Sequence, residues 1–273
     1  PEKTREISLG SYESWDPDTF DSLKANAHKL THLCPDWPTI DTEIGHLIST
    51  PEKQILDLVK EQDLILMPLL RNLGEADVWM AEAVEGLING PIERQEQFIT
   101  HLTVTLSTMQ AGGVVLDWQQ VDPSYRGNMS TFLARIADAL HRENMELWLC
   151  VSTGRDLKIF DLDVLPQHID RFVAMLHDEH AELDPPGPIA SQQFFNGWLS
   201  SLVEGYGKPS QWVISQGSYG YDWTEGQESA ELISFPDVMS RAGRSAQTSC
   251  DFHRPSLNPH FVYGEGNSVH TVW

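Results

Sequence analysis

Gly112-Gly113-Val114-Val115-Leu116-Asp117-Trp118-Gln119-Gln120 is a short β-branched run that follows two glycines and stops at an acid. Helical patterns flank it, Pro91–Met109 before and Asn128–Glu143 after. An apolar run bounded in this way reads as a strand of a parallel sheet buried on both faces. In such sheets chemistry gathers beyond the carboxyl ends of the strands, where side chains leave the core. Asp117, Trp118 and Gln119 fall there. Alternation along a strand sends Asp117 and Gln119 to one side and Trp118 to the other. Trp118 is therefore expected to pack between the sheet and its helices.

Working outward, further strands are expected at Glu6–Tyr12, Thr31–Cys34, Leu64–Leu70, Glu146–Val151, Phe172–His177 and Gln211–Gln216. Phe261–Tyr263 and Val269–Trp273 read as a hairpin whose second arm is an eighth strand. Between them, Asp16-Pro17 gives an N-cap and a favoured first helical position. Thr50-Pro51-Glu52 caps a helix carrying Ile55, Leu58 and Val59. Residues Glu75–Asn89 read as a loop with helical content, and Gly90-Pro91 opens a helix on which Phe98, Ile99, Leu102, Leu106 and Met109 trace one apolar face. Helices also fit Ser191–Tyr206 and Phe235–Ala242. The Ser152–Pro166 connection is long, which suits a functional rim. Strands alternating with helices over this length imply an α/β fold, a closed (β/α)8 TIM barrel. An open doubly wound sheet is disfavoured, because no Gly-x-Gly-x-x-Gly turn follows an early strand. The whole chain, 1–273, reads as one such domain excised from a larger protein.

A formal charge of -22 argues against nucleic acid and anionic membrane surfaces as partners, since phosphate binding needs clustered Lys and Arg. A neutral or polyhydroxylated partner suits it better; simple solubility explains the charge equally well. Cys34, Cys150 and Cys250 show no metal spacing and no disulfide framework, and Cys150 lies in a strand-like run where a free Cys is a small core residue. His177 and His180, with Asp178 or Glu179, invite a metal reading, but on an extended strand the two imidazoles face opposite sides. No metal and no cofactor is expected. Asn128-Met129-Ser130 fits a glycosylation pattern, yet Asn128 is better placed as a helix N-cap. Arg71 and Asn72 end the third strand and serve either a sugar hydroxyl or loop capping.

The stretch at Gly112, read with its neighbours, resembles the family-18 glycoside hydrolases, the chitinase-like barrels. Their strand-four signature is Asp-Gly-hydrophobic-Asp-hydrophobic-Asp-x-Glu. On this chain the signature begins at Gly112, its second acid falls on Val115, its third on Asp117 and its catalytic Glu on Gln119. Met175-Leu176-His177-Asp178 resembles the strand-six Met-x-Tyr-Asp, with His177 at the Tyr position. Gly187-Pro188-Ile189-Ala190-Ser191, Gly217–Trp223 and Val272-Trp273 resemble a bacterial branch. In that branch the barrel is fused to a polysaccharide-deacetylase-like domain and a membrane-bound glycosyltransferase.

The resemblance implies substrate-assisted cleavage, in which the Glu protonates the leaving oxygen while the substrate's N-acetyl carbonyl attacks. The Asp two residues earlier orients that acetamido group. A Gln carries no transferable proton, and loss of general acid catalysis costs about 10²–10⁴-fold. The implied function is thus glycan binding with little or no hydrolysis, toward an N-acetylglucosamine-type oligo- or polysaccharide. The implied site comprises Asp117, Gln119 and Asp178, with Tyr12, Met175, His177, Tyr219, Tyr221 and Trp273 as sugar contacts. Trp273 would take the strand-eight Trp position that floors the sugar subsite. The implied location is extracytoplasmic, in a membrane-tethered protein. Two other function classes stand beside it: an active glycosidase whose Glu was replaced to trap substrate, and a scaffold that binds no sugar. Val115 and His177 also depart from the pattern, which favours natural degeneration over a trapping substitution.

Overall fold

The computed structural model describes residues 6–14, 17–37, 39–40, 47–48, 50–74, 78–154, 156–244 and 250–273. The chain divides into two compact units, 1–173 with 206–213 and 174–205 with 214–273.

The first unit carries β1 (Leu9–Tyr12), α1 (Pro17–Asn26), β2 (His32–Pro35), β3 (Thr39–Ile40), β4 (Leu47–Ile48) and α2 (Lys53–Glu61). There follow β5 (Ile65–Leu66), β6 (Leu69–Arg71), α3 (Ala81–Ile88), α4 (Ile92–Met109), β7 (Gly113–Asp117), α5 (Arg126–Arg142) and β8 (Glu146–Ser152). The dividing points of the chain fall within β9 (Arg171–Met175) and β10 (Trp212–Ser215). Pairing is parallel from β1 to β2 to β5, and again from β6 to β7 to β8, with β9 and β10 next in order.

The single third strand expected over Leu64–Leu70 is split at Met67-Pro68. Pro68 has no N–H to give a ladder, so the sheet continues through carbonyls. Val115 N–H donates to Pro68 O at 2.9 Å, Gly112 N–H to Leu66 O at 2.8 Å and Met67 N–H to Leu33 O at 2.8 Å. β5 and β6 therefore act as one strand in two pieces. The parallel strands then succeed one another in chain order without the reversal that defines a doubly wound sheet. The fold is α/β of the TIM-barrel type.

The helical spacing read on α4 is realised: Phe98, Ile99, Leu102, Leu106 and Met109 are all buried. Each such side chain taken from water contributes about 1.5–3 kcal/mol. On α2 the buried residues are Ile55, Leu58 and Val59. Every residue of β7 is buried, and its first position admits glycine alone. A Cβ at Gly113 would lie 2.0 Å from the Glu146 carbonyl oxygen on β8. Trp118 is 1% exposed and stacks on Phe132 of α5, with centroids 6.3 Å apart and planes 11° apart. It faces the helices, as strand alternation requires.

Two local expectations need restating against the structure. Asn128 is not an N-cap: α5 starts at Arg126, and Asn128 donates to Asn89 Oδ1 at 2.5 Å. The preceding turn is instead closed by Asp122, which accepts from Ser124 N–H at 2.8 Å. The long Ser152–Pro166 connection is more than a loop: it carries two short 3-10 turns, and Ile159, Phe160, Leu162 and Leu165 are buried within it. The N-cap expected at Asp16 lies outside the described residues.

The second unit holds α6 (Gln192–Gly205), β11 (Tyr219–Thr224), β12 (Glu231–Ser234), α7 (Phe235–Arg244), β13 (Asp251–His253), β14 (Asn258–Glu265) and β15 (Ser268–Val272). Its five strands lie in the order β12-β11-β15-β14-β13. The hairpin expected near the end of the sequence is present. Its second arm, β15, pairs antiparallel with both β14 and β11, so it is not an eighth parallel strand. The cause is the turn: Gly266, with φ +60°, folds β15 straight back on β14 with Glu265 opposite Ser268. Such a connection is too short to cross to a parallel neighbour. Beneath the sheet, Val238 and Ala242 pack on Ile233, Phe261 and Val272. The buried Asp222 carboxylate accepts from Arg241 and from the Tyr263 hydroxyl at 2.6 Å, with His270 Nδ1 at 2.9 Å.

Candidate functional site

In the first unit the polar groups collect where β1, β2, β6 and β7 end. Asp117 closes β7 and is 7% exposed. Gln119 Nε2 donates to Asp117 Oδ1 at 2.9 Å. An ionised carboxylate only accepts, so the amide nitrogen must be the end that faces it. The two residues thus lie on one side, as the sequence implies. The main chain of Gln119 is itself gripped. Asn72, just past β6, donates from Nδ2 to Gln119 O at 2.9 Å and accepts Gln119 N–H on Oδ1 at 2.9 Å. Gln120 follows in the left-handed region, φ +60°.

Arg71 stands opposite Asp117 in the β6–β7 register. Its Nη2 donates to Glu13 Oε2 at 3.1 Å and Asp36 Oδ2 at 3.0 Å. Burial acts to weaken the guanidinium's hold on its proton, but Glu13, Asp36 and Asp117 together raise its pKa. Arg71 is thus a charge partner for three acids rather than a loop cap. Cys34 and Cys150 lie buried within the electrostatic reach of Asp117. Burial pushes both thiols well up, so neither is a nucleophile at neutral pH.

Tyr12 is 3% exposed and packs in the core with Leu33, Trp37 and Leu66. Its hydroxyl donates to Glu52 Oε2 at 3.1 Å. Burial, and then the Glu52 bond, pushes its pKa up to about 12. Little of this ring is left for a ligand.

The second unit brings His177, Asp178, Tyr219 and Tyr221 together. Asp178 has φ +60°, a conformation that non-glycine residues adopt at a cost and that clusters at functional sites. Its carboxylate accepts from the Tyr219 hydroxyl, from the Tyr221 hydroxyl at 3.3 Å, and lies 3.0 Å from His177 Nδ1. Burial alone would raise this carboxyl; the His177 and Tyr219 bonds outweigh it and hold the pKa below its ordinary value. Tyr219 is pushed up by burial and by the adjacent Asp178 charge. His177 meets Tyr219 edge-on at 5.9 Å and approaches Ser215 Oγ at 3.4 Å. His180 is turned to the Pro185 carbonyl at 2.9 Å. Met175 ends β9, half-buried.

Trp273 follows β15 and does not take the eighth-strand position that the resemblance implied for it. One face stacks on His260 at 4.4 Å and 15°, and its backbone pairs with Tyr221. It packs beside Tyr219, Tyr221 and Trp223. Glu13, Asp36 and Ser215 went unnoticed in the sequence. Their partners lie 58, 35 and 38 residues away, and no spacing rule links them.

No family model matches the chain. The uncharacterized glycosylase YvbX of Bacillus subtilis is 19% identical over 270 residues, 96% of this chain and 78% of that protein. Among solved structures, a chitinase from Chromobacterium violaceum superposes with a TM-score of 0.87 at 20% identity, over 98% of this chain and 85% of its own. The spore cortex-lytic enzyme SleL of Bacillus megaterium gives 0.86 at 22% identity, over 97% of this chain. This chain spans 63% of SleL. The fold is therefore the one these chitinase and cortex-lytic structures share.

Proposed function

We propose that this chain is a glycan-binding, chitinase-like domain that recognises N-acetylglucosamine-type polysaccharide and hydrolyses it little or not at all. The observation that carries this reading is the Gln119 amide bonded to Asp117 at 2.9 Å. A carboxylic acid in that place would supply a proton to a departing glycosidic oxygen. An amide in that place keeps the hydrogen-bonding capacity and has no proton to transfer. The pair is built to hold a polar ligand and lacks the group that cleaves it. The relatives' names, a chitinase and a spore cortex-lytic enzyme, support a polysaccharide as the ligand. The resemblance to a branch carrying deacetylase and glycosyltransferase domains supports an extracytoplasmic place in polysaccharide synthesis or modification.

Calorimetric titration with a chito-oligosaccharide series tests the reading, together with Gln119→Glu assayed for cleavage. Saturable binding that Asp117→Ala abolishes, with no cleavage by the parent chain or by Gln119→Glu, is the expected result. Cleavage recovered in Gln119→Glu would instead reveal an intact hydrolase missing only its acid. No binding at any oligomer length would sink the sugar reading.

A further inference from the structure

Asn72 is buried, with 2% of the residue exposed, and a buried amide must find hydrogen-bond partners. Both ends of its amide are committed to one peptide neighbour 47 residues away. Nδ2 donates to Gln119 O and Oδ1 accepts Gln119 N–H, each at 2.9 Å. This is the pairing that an adjacent strand would offer, supplied by a side chain where the β6–β7 ladder has ended at Arg71 and Asp117. Just after it the chain turns through a left-handed Gln120. Gln119 is thus held at a point where the backbone would otherwise leave the sheet freely. Its side chain, bonded to Asp117, inherits its direction from that fixed peptide.

We propose that Asn72 is the positioning residue of the first unit's polar site. By clamping the Gln119 peptide it fixes the Gln119 amide on Asp117, and so presets the pair for ligand. The inference rests on the glycan-binding reading for what the preset pair is for, but the clamp itself is open to a measurement without ligand. An amide is the one side chain of this length that donates and accepts at once without charge. Aspartate has the same shape and, when ionised, cannot donate. Its charge would then face the Gln119 carbonyl oxygen.

The test uses Asn72→Asp and Asn72→Ala in the full chain, with two readouts. The first is the NMR resonance of the Gln119 side-chain amide without ligand. It is expected at a distinct, dispersed position in the parent chain and shifted toward the free-glutamine position in both variants at pH 7. The second is affinity for chito-oligosaccharide, expected about tenfold weaker or more in both variants at pH 7, since Asn72→Asp forfeits the donated bond and Asn72→Ala both bonds. As pH falls and the introduced carboxyl takes up a proton, it regains a donor for the Gln119 carbonyl. The Asn72→Asp affinity, as a ratio to the parent chain at each pH, should then recover, while the Asn72→Ala ratio stays low. A residue that merely fills space would lower thermal stability in both variants and leave the amide resonance and the folded chain's affinity unmoved; that result overturns the proposal. Should Asn72→Ala fail to fold, the near-isosteric Asn72→Asp carries the test alone. Should the parent chain bind no glycan, the function reading falls and the clamp is judged on the amide resonance.

Discussion

Asp178 is held ionised by its neighbours against the effect of its own burial, and this has a direction in pH. Its folded pKa lies below the ordinary carboxylate value. The stability it contributes is therefore complete above the unfolded pKa of about 4 and is lost as pH falls through the folded value. Tyr219→Phe deletes one donor, so the Asp178 pKa should move up toward normal. Carbon-detected titration of the carboxyl is expected to show a higher midpoint in the variant. In urea melts the stability gap between the two proteins should be present at neutral pH and close in acid. A gap that stays constant across the range would mean that Tyr219 acts by packing alone. At this scale Asp117, Gln119 and Asp178 were legible because strand ends and motif spacing mark them. Arg71 and Asn72 were visible only as polar residues ending a strand. Their partners, Glu13, Asp36 and the Gln119 peptide, come from strands adjacent in space and remote in sequence.

Along the elements, α2, α4 and β7 could be read because periodicity and burial agree in them. The third strand was read as continuous because apolar residues fill it, and only the missing N–H of Pro68 divides it. The hairpin of β14 and β15 was recognised from its turn, but its partner could not be, since pairing direction is set by connection length and tertiary neighbours rather than by local pattern. The two glycines before Val114 test this level. At Gly112 an added Cβ would meet the Ile65 Cγ2 at 2.4 Å, the end of a side chain that can rotate away. At Gly113 it would meet the Glu146 backbone, with oxygen at 2.0 Å and carbon and nitrogen at 2.8 Å. Gly113→Ala must push β7 from β8 and is expected to cost about 3 kcal/mol or more, while Gly112→Ala costs roughly 1 kcal/mol. Chemical denaturation of the two variants gives the comparison. Equal losses would show that the β7–β8 spacing is softer than the backbone contact implies.

For the molecule as a whole, the alternation of strands and helices announced the first unit, whereas the antiparallel sheet of the second left a weaker trace. Tyr219–Thr224 was not read as a strand, because Gly220 weakens its pattern, yet it is β11, which pairs with both β12 and β15. Glu231–Ser234 and Asp251–His253 are too short to show a period. The distribution of sulfur across the two units has a practical consequence. Cys34 and Cys150 are buried in the first unit, and Cys250 is exposed in the second. A maleimide dye added to the native protein should attach once, at Cys250, giving a single mass increment and an addressable optical probe without mutagenesis. The two sheltered thiols would then count time: each can be alkylated only when the parallel sheet around it opens. Their slow modification, followed by mass spectrometry, would clock the breathing of the first unit separately from any motion of the second. Rapid triple labelling would show that this sheet opens far more often than its packing allows.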